Sequence, residues 1–242
     1  MSLKKMKPSK IFTGALFAVV FSAVLFSIFS PGSFPLHDQF NMLVLFGSIM
    51  LLSVLAFFFE FEDRASTSRE LSLVASLGGL SAISRVVFAA LPSFQPATFL
   101  VLCSGYVFGS LAGFMVGALT AIISNLFLGH GPWTLFQIFA WGMGGAAIGL
   151  LKGRRLNRYY LALLGAVWAY VFGILMNLWF LSGMPVVSLK SIISAQMVSL
   201  WMDMIHVSAT VLFMLIFGER VIKTLERFRA RSETVFQRPS SK

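Results

Sequence analysis

From Ala97 to Leu128 the chain runs for 32 residues without one charged side chain. A helix crosses the roughly 30 Å hydrocarbon layer with about 20 apolar residues, so this run is too long for a single crossing and has to turn back on itself. Gly109-Ser110-Leu111-Ala112-Gly113 is uncharged and brackets the middle of the run with glycine, which suits a tight turn. The rest of the chain is of the same kind. It is 57% hydrophobic with a mean hydropathy of +0.85, and 12% of its residues are charged, about half the share of a soluble domain. Apolar segments fall at 11 to 29, 40 to 59, 70 to 91, 97 to 109, 111 to 128, 133 to 151, 159 to 182 and 191 to 218. They predict an all-α membrane protein with eight transmembrane helices. The first segment follows Lys4, Lys5, Lys7 and Lys10 and has no small-residue cleavage site, so it is expected to be retained rather than removed as a signal peptide.

The net charge of +10 would suit nucleic acid if the basic residues formed one patch, but they lie between the apolar runs. With the N-terminus inside, the inner segments hold four basic residues before the first helix, two at 60 to 70 (Arg64, Arg69), four at 152 to 158 (Lys152, Arg154, Arg155, Arg158) and seven after 218. That is seventeen of nineteen; Lys190 lies in an outer loop and Arg85 within the third segment. Positive loops stay in the cytoplasm, so both termini are expected there, and nucleic acid is not a partner. The connections at 30 to 39, 92 to 96, 129 to 132 and 183 to 190 then face outward. They hold most of the prolines and little charge. Cys103 is the only cysteine and forms no internal disulfide.

Small residues recur four apart: Ala75 and Gly79, Gly78 and Ala82, the series Gly109, Gly113, Gly117 and Ala121, then Gly145 and Gly149. Such stripes allow close approach of helices in lipid, either inside the bundle or on a second membrane protein. Arg85, near the outer end of its helix, either reaches the outer headgroups or lines a ligand cavity, because an arginine at mid-membrane costs roughly 2.5 to 3.5 kcal/mol. Asp203 and His206, three apart in the last helix, share a face. They form either a packing pair, with Asn177 or Arg85 as a third member, or a ligand or proton-transfer site. The outer stretches Phe94-Gln95-Pro96 and His130-Gly131-Pro132-Trp133 set rigid residues around a polar and an aromatic side chain. Trp133 and Trp141 suit interfacial anchors, and equally an apolar, aromatic pocket with few polar groups, to which Arg85, Phe94, Gln95, Asn125, His130, Trp133, Gln137 and Trp141 would contribute. No P-loop, H-E-x-x-H or Gly-x-Ser-x-Gly pattern is present. The chain has no catalytic residues of a recognised kind, no intrinsic cofactor and no closed metal site. Uphill transport would need an ion gradient or a partner.

The stretch from Arg69 to Lys152, with P-S-F-Q-P, S-N-L-F-L-G-H-G-P-W-T and F-Q-I-F-A-W-G, resembles the substrate-binding S component of energy-coupling factor (ECF) transporters, most closely the cobalamin-type branch. The remainder is similar by layout only. The resemblance implies two additional N-terminal helices (1–68), a six-helix substrate-binding core (69–218) and a basic cytoplasmic tail (219–242), in the plasma membrane of a prokaryote. It implies capture of a vitamin, cobalamin first, in the outer pocket and delivery through a transmembrane coupling protein and two cytoplasmic ATPases, which alone use ATP. The family's A-x-x-x-A docking motif maps onto Ala75 and Gly79, with Gly78 and Ala82 adjacent. At the position of His130 the family more often has glutamine, and a histidine there would be able to approach the cobalt of a corrinoid. The alternatives are an S component for another vitamin or a modified nucleobase, a proton-coupled carrier working alone, and a membrane-embedded enzyme using Asp203 and His206.

Overall fold

The computed structural model describes residues 39–63, 68–182, 184 and 188–236. The first expected crossing, 11 to 29, lies outside them. The described residues form seven helices and no strand: α1 (Gln39–Asp63), α2 (Ser68–Val87), α3 (Ala97–Phe108), α4 (Ser110–Leu128), α5 (Trp133–Gly149), α6 (Arg158–Ser182) and α7 (Leu189–Phe236). Each coincides with one of the expected apolar segments from the second onward. Four of them, α2, α4, α6 and α7, are long and apolar enough to cross a membrane.

The break within the long uncharged run falls at a single residue. Gly109 has φ +101° and separates α3 from α4, donating its N–H to the Gly105 carbonyl at 2.7 Å. Only glycine takes that conformation without strain. The turn is tighter than the five-residue hinge predicted, and α4 starts at once. With 12 residues, α3 rises only about 18 Å and is too short to span a bilayer alone. Ten of its residues are buried, so it lies inside the bundle, in contact with α2, α4, α5, α6 and α7.

Glycine sets the spacing of this centre. A methyl group added at Gly113 would collide with the Gly145 carbonyl, one at Gly117 with the backbone at Trp141, and one at Gly149 with the start of α4. Gly105 of α3 meets Gly145 in the same way. The stripes at Gly113, Gly117 and Ala121 and at Gly145 and Gly149 therefore pack α4 and α5 backbone to backbone, with van der Waals contact in place of the hydrophobic drive that lipid lacks. Ala82 is fully buried, and a methyl at Gly78 would stand 2.6 Å from Leu119 Cβ, so both face inward and Gly78 joins α2 to α4. Ala75 is exposed and Gly79 has open space beside it. The stripe on α2 thus divides into an inward half and an outward half.

Helix α1 lies against α4, α5 and α6, where Phe57 stacks on Phe114 with ring centroids 3.9 Å apart. The segment at 40 to 59 is therefore part of the packed body. The last helix continues 18 residues beyond the expected end at 218, to Phe236, and carries the basic residues from Arg220 to Arg231 as its extension.

Glycine contact of this kind predicts an asymmetric response to added bulk. Gly145→Val should lower the melting temperature of the detergent-solubilised protein or prevent a monodisperse peak, since overpacking costs about 1–3 kcal/mol or more. Gly79→Val, with no neighbour to meet, should melt within a degree or two of the parent; equal damage from both would refute the backbone packing.

Candidate functional site

The helix reversals put the connections 88–96 and 129–132 at one end of the bundle, with 109 and 150–157 at the other. At the first end, Phe88 to Ala90 turn after α2, and Ser93 takes a left-handed conformation (φ 60°) before Pro96 starts α3. The second connection leaves α4 through Gly129 (φ +101°) and enters α5 after Pro132.

Arg85, in the last turn of α2, lies beneath these loops. Its Nη1 donates to Ser124 Oγ and to Asn125 Oδ1, both at 2.6 Å, and its guanidinium stands 4.9 Å from the centre of the Trp141 ring. Such a stack over indole is attractive. No carboxylate pairs with it among the described residues. Nε and Nη2 make no hydrogen bond to a described residue. One nitrogen of the guanidinium is thus fixed by protein, and the half-buried group keeps two nitrogens without a hydrogen bond to a described residue.

Asn125 is 1% exposed and holds the site together. While its oxygen accepts from Arg85, its Nδ2 donates to Thr134 Oγ1 at 2.9 Å and Gln137 Oε1 at 2.7 Å. Thr134 also receives the Gly131 N–H and closes the loop by donating its own N–H to the Gly131 carbonyl. In this way α2, α4 and α5 and the 129–132 connection meet at one amide. His130 is exposed, 3.4 Å from Thr134 Oγ1, and Trp133 packs on Trp179 of α6.

Trp141 is 1% exposed and belongs to the interior rather than to an interfacial belt. Its indole N–H donates to Thr98 Oγ1 at 2.9 Å, and Thr98 shares a second hydrogen bond, 2.7 Å, with His206 Nε2. Phe172 fills the angle, 4.7 Å from the Trp141 ring and 5.1 Å from His206. A continuous line of contacts therefore runs from Gln137 through Asn125, Arg85, Trp141 and Thr98 to His206.

Asp203 is not part of that line. Its Oδ2 accepts from Ser199 Oγ at 2.7 Å and Gln196 Nε2 at 3.1 Å, and Asn177 Nδ2 donates to the oxygens of both Ser199 and Gln196. The carboxylate lies directly against Gly173 of α6, where no side chain would fit. Sharing a helix face leads Asp203 and His206 to different neighbours, with no hydrogen bond between them. Asn177 joins the aspartate, and Arg85 reaches the histidine only through Trp141 and Thr98.

Of the eight expected pocket residues, Arg85, Asn125, Gln137 and Trp141 form one connected group, and His130 and Trp133 border it through Thr134 and the loop. Phe94 stands apart, among Phe88 and Phe213 at 6.4 and 5.7 Å. Gln95 makes no hydrogen bond to the described residues. Ser124, Thr134, Thr98 and Phe172 were not anticipated; Ser124 and Thr134 flank residues that were, but a hydroxyl inside an apolar helix more often bonds its own backbone. No group of three or more His, Cys, Asp or Glu suited to a metal occurs among the described residues. Comparison of the chain with protein-family models, curated proteins and solved structures finds no match.

The two clusters should separate in mutants. Asn125→Leu leaves Gln137 Oε1 without its donor and takes one of two acceptors from Arg85 Nη1, and should cost about 1–3 kcal/mol or more. Thermal melting would register this, and a variant as stable as the parent would show the amide to be dispensable.

Proposed function

We propose that the chain is the substrate-binding subunit of an ECF-type importer, which captures a vitamin, cobalamin first, from outside and hands it to a coupling protein and two ATPases. The observation that carries this is the half-buried guanidinium of Arg85, held through one nitrogen by Ser124 and Asn125 and stacked on Trp141 at the loop-bearing end, with Nε and Nη2 making no hydrogen bond to a described residue. A cation kept in an apolar bundle without a carboxylate partner among the described residues suits a ligand that brings its own anionic or amide oxygen, and cobalamin brings both a phosphodiester and several amides. Gln137, Trp133 and His130 border the same place and supply the polar and aromatic surface a corrinoid would need. Phe94 and Gln95 serve at the loop margin, where the exposed His130 is able to approach a cobalt. The outward pair Ala75 and Gly79 offers the coupling protein a flat face on α2, while Gly78 and Ala82 face inward. The separation of Asp203 from His206, each tied to other side chains, favours a binding protein over an enzyme that would use them as acid and base. The protein would work in a prokaryotic plasma membrane with both termini in the cytoplasm.

Cyanocobalamin binding to the purified chain, followed by its visible absorbance after gel filtration or by calorimetry, tests the proposal. Binding should be saturable, and Arg85→Lys should weaken it about ten- to hundredfold, because a charge-assisted hydrogen bond contributes about 1.5–3 kcal/mol and lysine lacks the planar fork. No corrinoid binding at micromolar protein would end the cobalamin assignment and turn the search to other vitamins and modified nucleobases. Uptake in cells lacking the coupling protein and ATPases would instead identify a carrier working alone.

A further inference from the structure

A large cavity lies away from the Arg85 end. It encloses about 730 Å³ at the opposite end, between the 153–159 segment and the part of α7 from Met214 to Arg229. Its rim carries Arg154, Arg155, Arg158 and Lys223, and its deeper wall is Leu161, Met214 and Ile222 with the ring of Tyr106. Tyr106 fixes the rim to the bundle: its hydroxyl donates to the Arg154 carbonyl and accepts the Leu156 N–H at 3.1 Å. The cations differ in their engagement. Lys223 pairs with Glu219 at 2.6 Å, and Arg158 donates to the Tyr159 hydroxyl while lying 5.0 Å from its ring. The side chains of Arg154 and Arg155 have no hydrogen-bond or ion-pair partner among the described residues. Glu226 is the remaining acid on the cavity, so positive charge is in excess there.

We propose that this cavity binds a phosphate-bearing anion, supplied by the headgroup of an anionic phospholipid in the cytoplasmic leaflet. A basic pocket between membrane helices on that side is suited to such headgroups, and the two unpartnered arginines present guanidinium forks that fit phosphate oxygens. The floor of the cavity, Leu161, Met214 and Ile222, is already packed in the bundle, so the exposed apolar surface at the entrance decides between sources: a lipid covers it with its acyl chains and a soluble phosphate does not. The entrance is also built for the membrane surface: Tyr159 and Tyr160 are each 62% exposed at the start of α6, with Leu163 exposed one turn further on, the aromatic-over-aliphatic order of an interfacial belt. The proposal rests on the charge-based placement of this end in the cytoplasm and not on the identity of the ligand at Arg85.

Native mass spectrometry of the full chain released from nanodiscs containing phosphatidylglycerol and phosphatidylcholine of matched acyl chains tests it. Phosphatidylglycerol should be retained in preference, by about fivefold for each engaged cation, and should raise the melting temperature of the parent protein in mixed micelles. The exposed pair Arg154→Gln and Arg155→Gln should bring retention close to parity, while Arg220→Gln with Arg227→Gln, the same charge loss on α7 outside this cavity, should preserve it. Equal loss from both pairs would mean diffuse attraction and no site. Absence of any preference in the parent protein overturns the proposal without use of a variant, and displacement of the lipid by millimolar inorganic phosphate overturns the lipid as its source.

Discussion

Backbone contact between α4 and α5, made possible by Gly113, Gly117, Gly145 and Gly149, is the constraint from which the rest of the structure follows. Helices in lipid gain little from hiding apolar side chains, so they associate where their surfaces allow the closest approach. With glycine on both sides, the two axes come near enough that Gly105 of α3 also reaches Gly145. That draws the short α3 into the interior, where ten of its twelve residues are buried. The longer helices α6 and α7 then cover it, and α1 closes the side at Phe57 and Phe114.

The same closeness determines where polar groups can be kept. Because α4 and α5 touch, Asn125 on one helix reaches Thr134 and Gln137 on the other with direct bonds of 2.9 and 2.7 Å, and its remaining oxygen is left for Arg85. Trp141, one turn beyond Gln137 and facing Gly117, presents its ring to the guanidinium and its N–H to Thr98. A charge that would be costly in hydrocarbon is thereby held by two oxygens and an aromatic face while part of it stays accessible. The acid in the last helix has its own set of partners, Ser199, Gln196 and Asn177, so the two charged groups of the interior do not neutralise each other. Cation and acid are thus fixed in separate places, each by its own set of side chains.

Much of the fold was legible because apolar length and the break at Gly109 are local properties of the chain. The segments at 97 to 109 and 111 to 128 correspond to α3 and α4 within a residue. The end expected at 218 missed a helix that runs to Phe236, since hydropathy reports where the apolar part stops and a charged sequence can continue the same helix in water. At the site, Arg85, Asn125, Gln137 and Trp141 were legible as polar or amphipathic side chains stranded in apolar runs near one end. Phe94 was not separable from them, because a phenylalanine beside a loop reads alike whether it faces a ligand or, as here, Phe88 and Phe213. Spacing likewise set Asp203 and His206 on one face, but α6 and α3 decide what each meets there.

The sequence by itself determined that the chain is helical and apolar, where it turns, how its positive charge is distributed and which small residues would permit close packing. These follow from the length, hydropathy and conformational freedom of short stretches, each acting without knowledge of the others. Only the tertiary structure decided that α3 lies inside, that Gly78 and Ala82 face inward while Ala75 and Gly79 face out, and that Arg85 is held by Ser124, Asn125 and Trp141. Those are matters of which helix faces which, and that depends on backbone approach summed over several helices at once, a quantity no single segment carries.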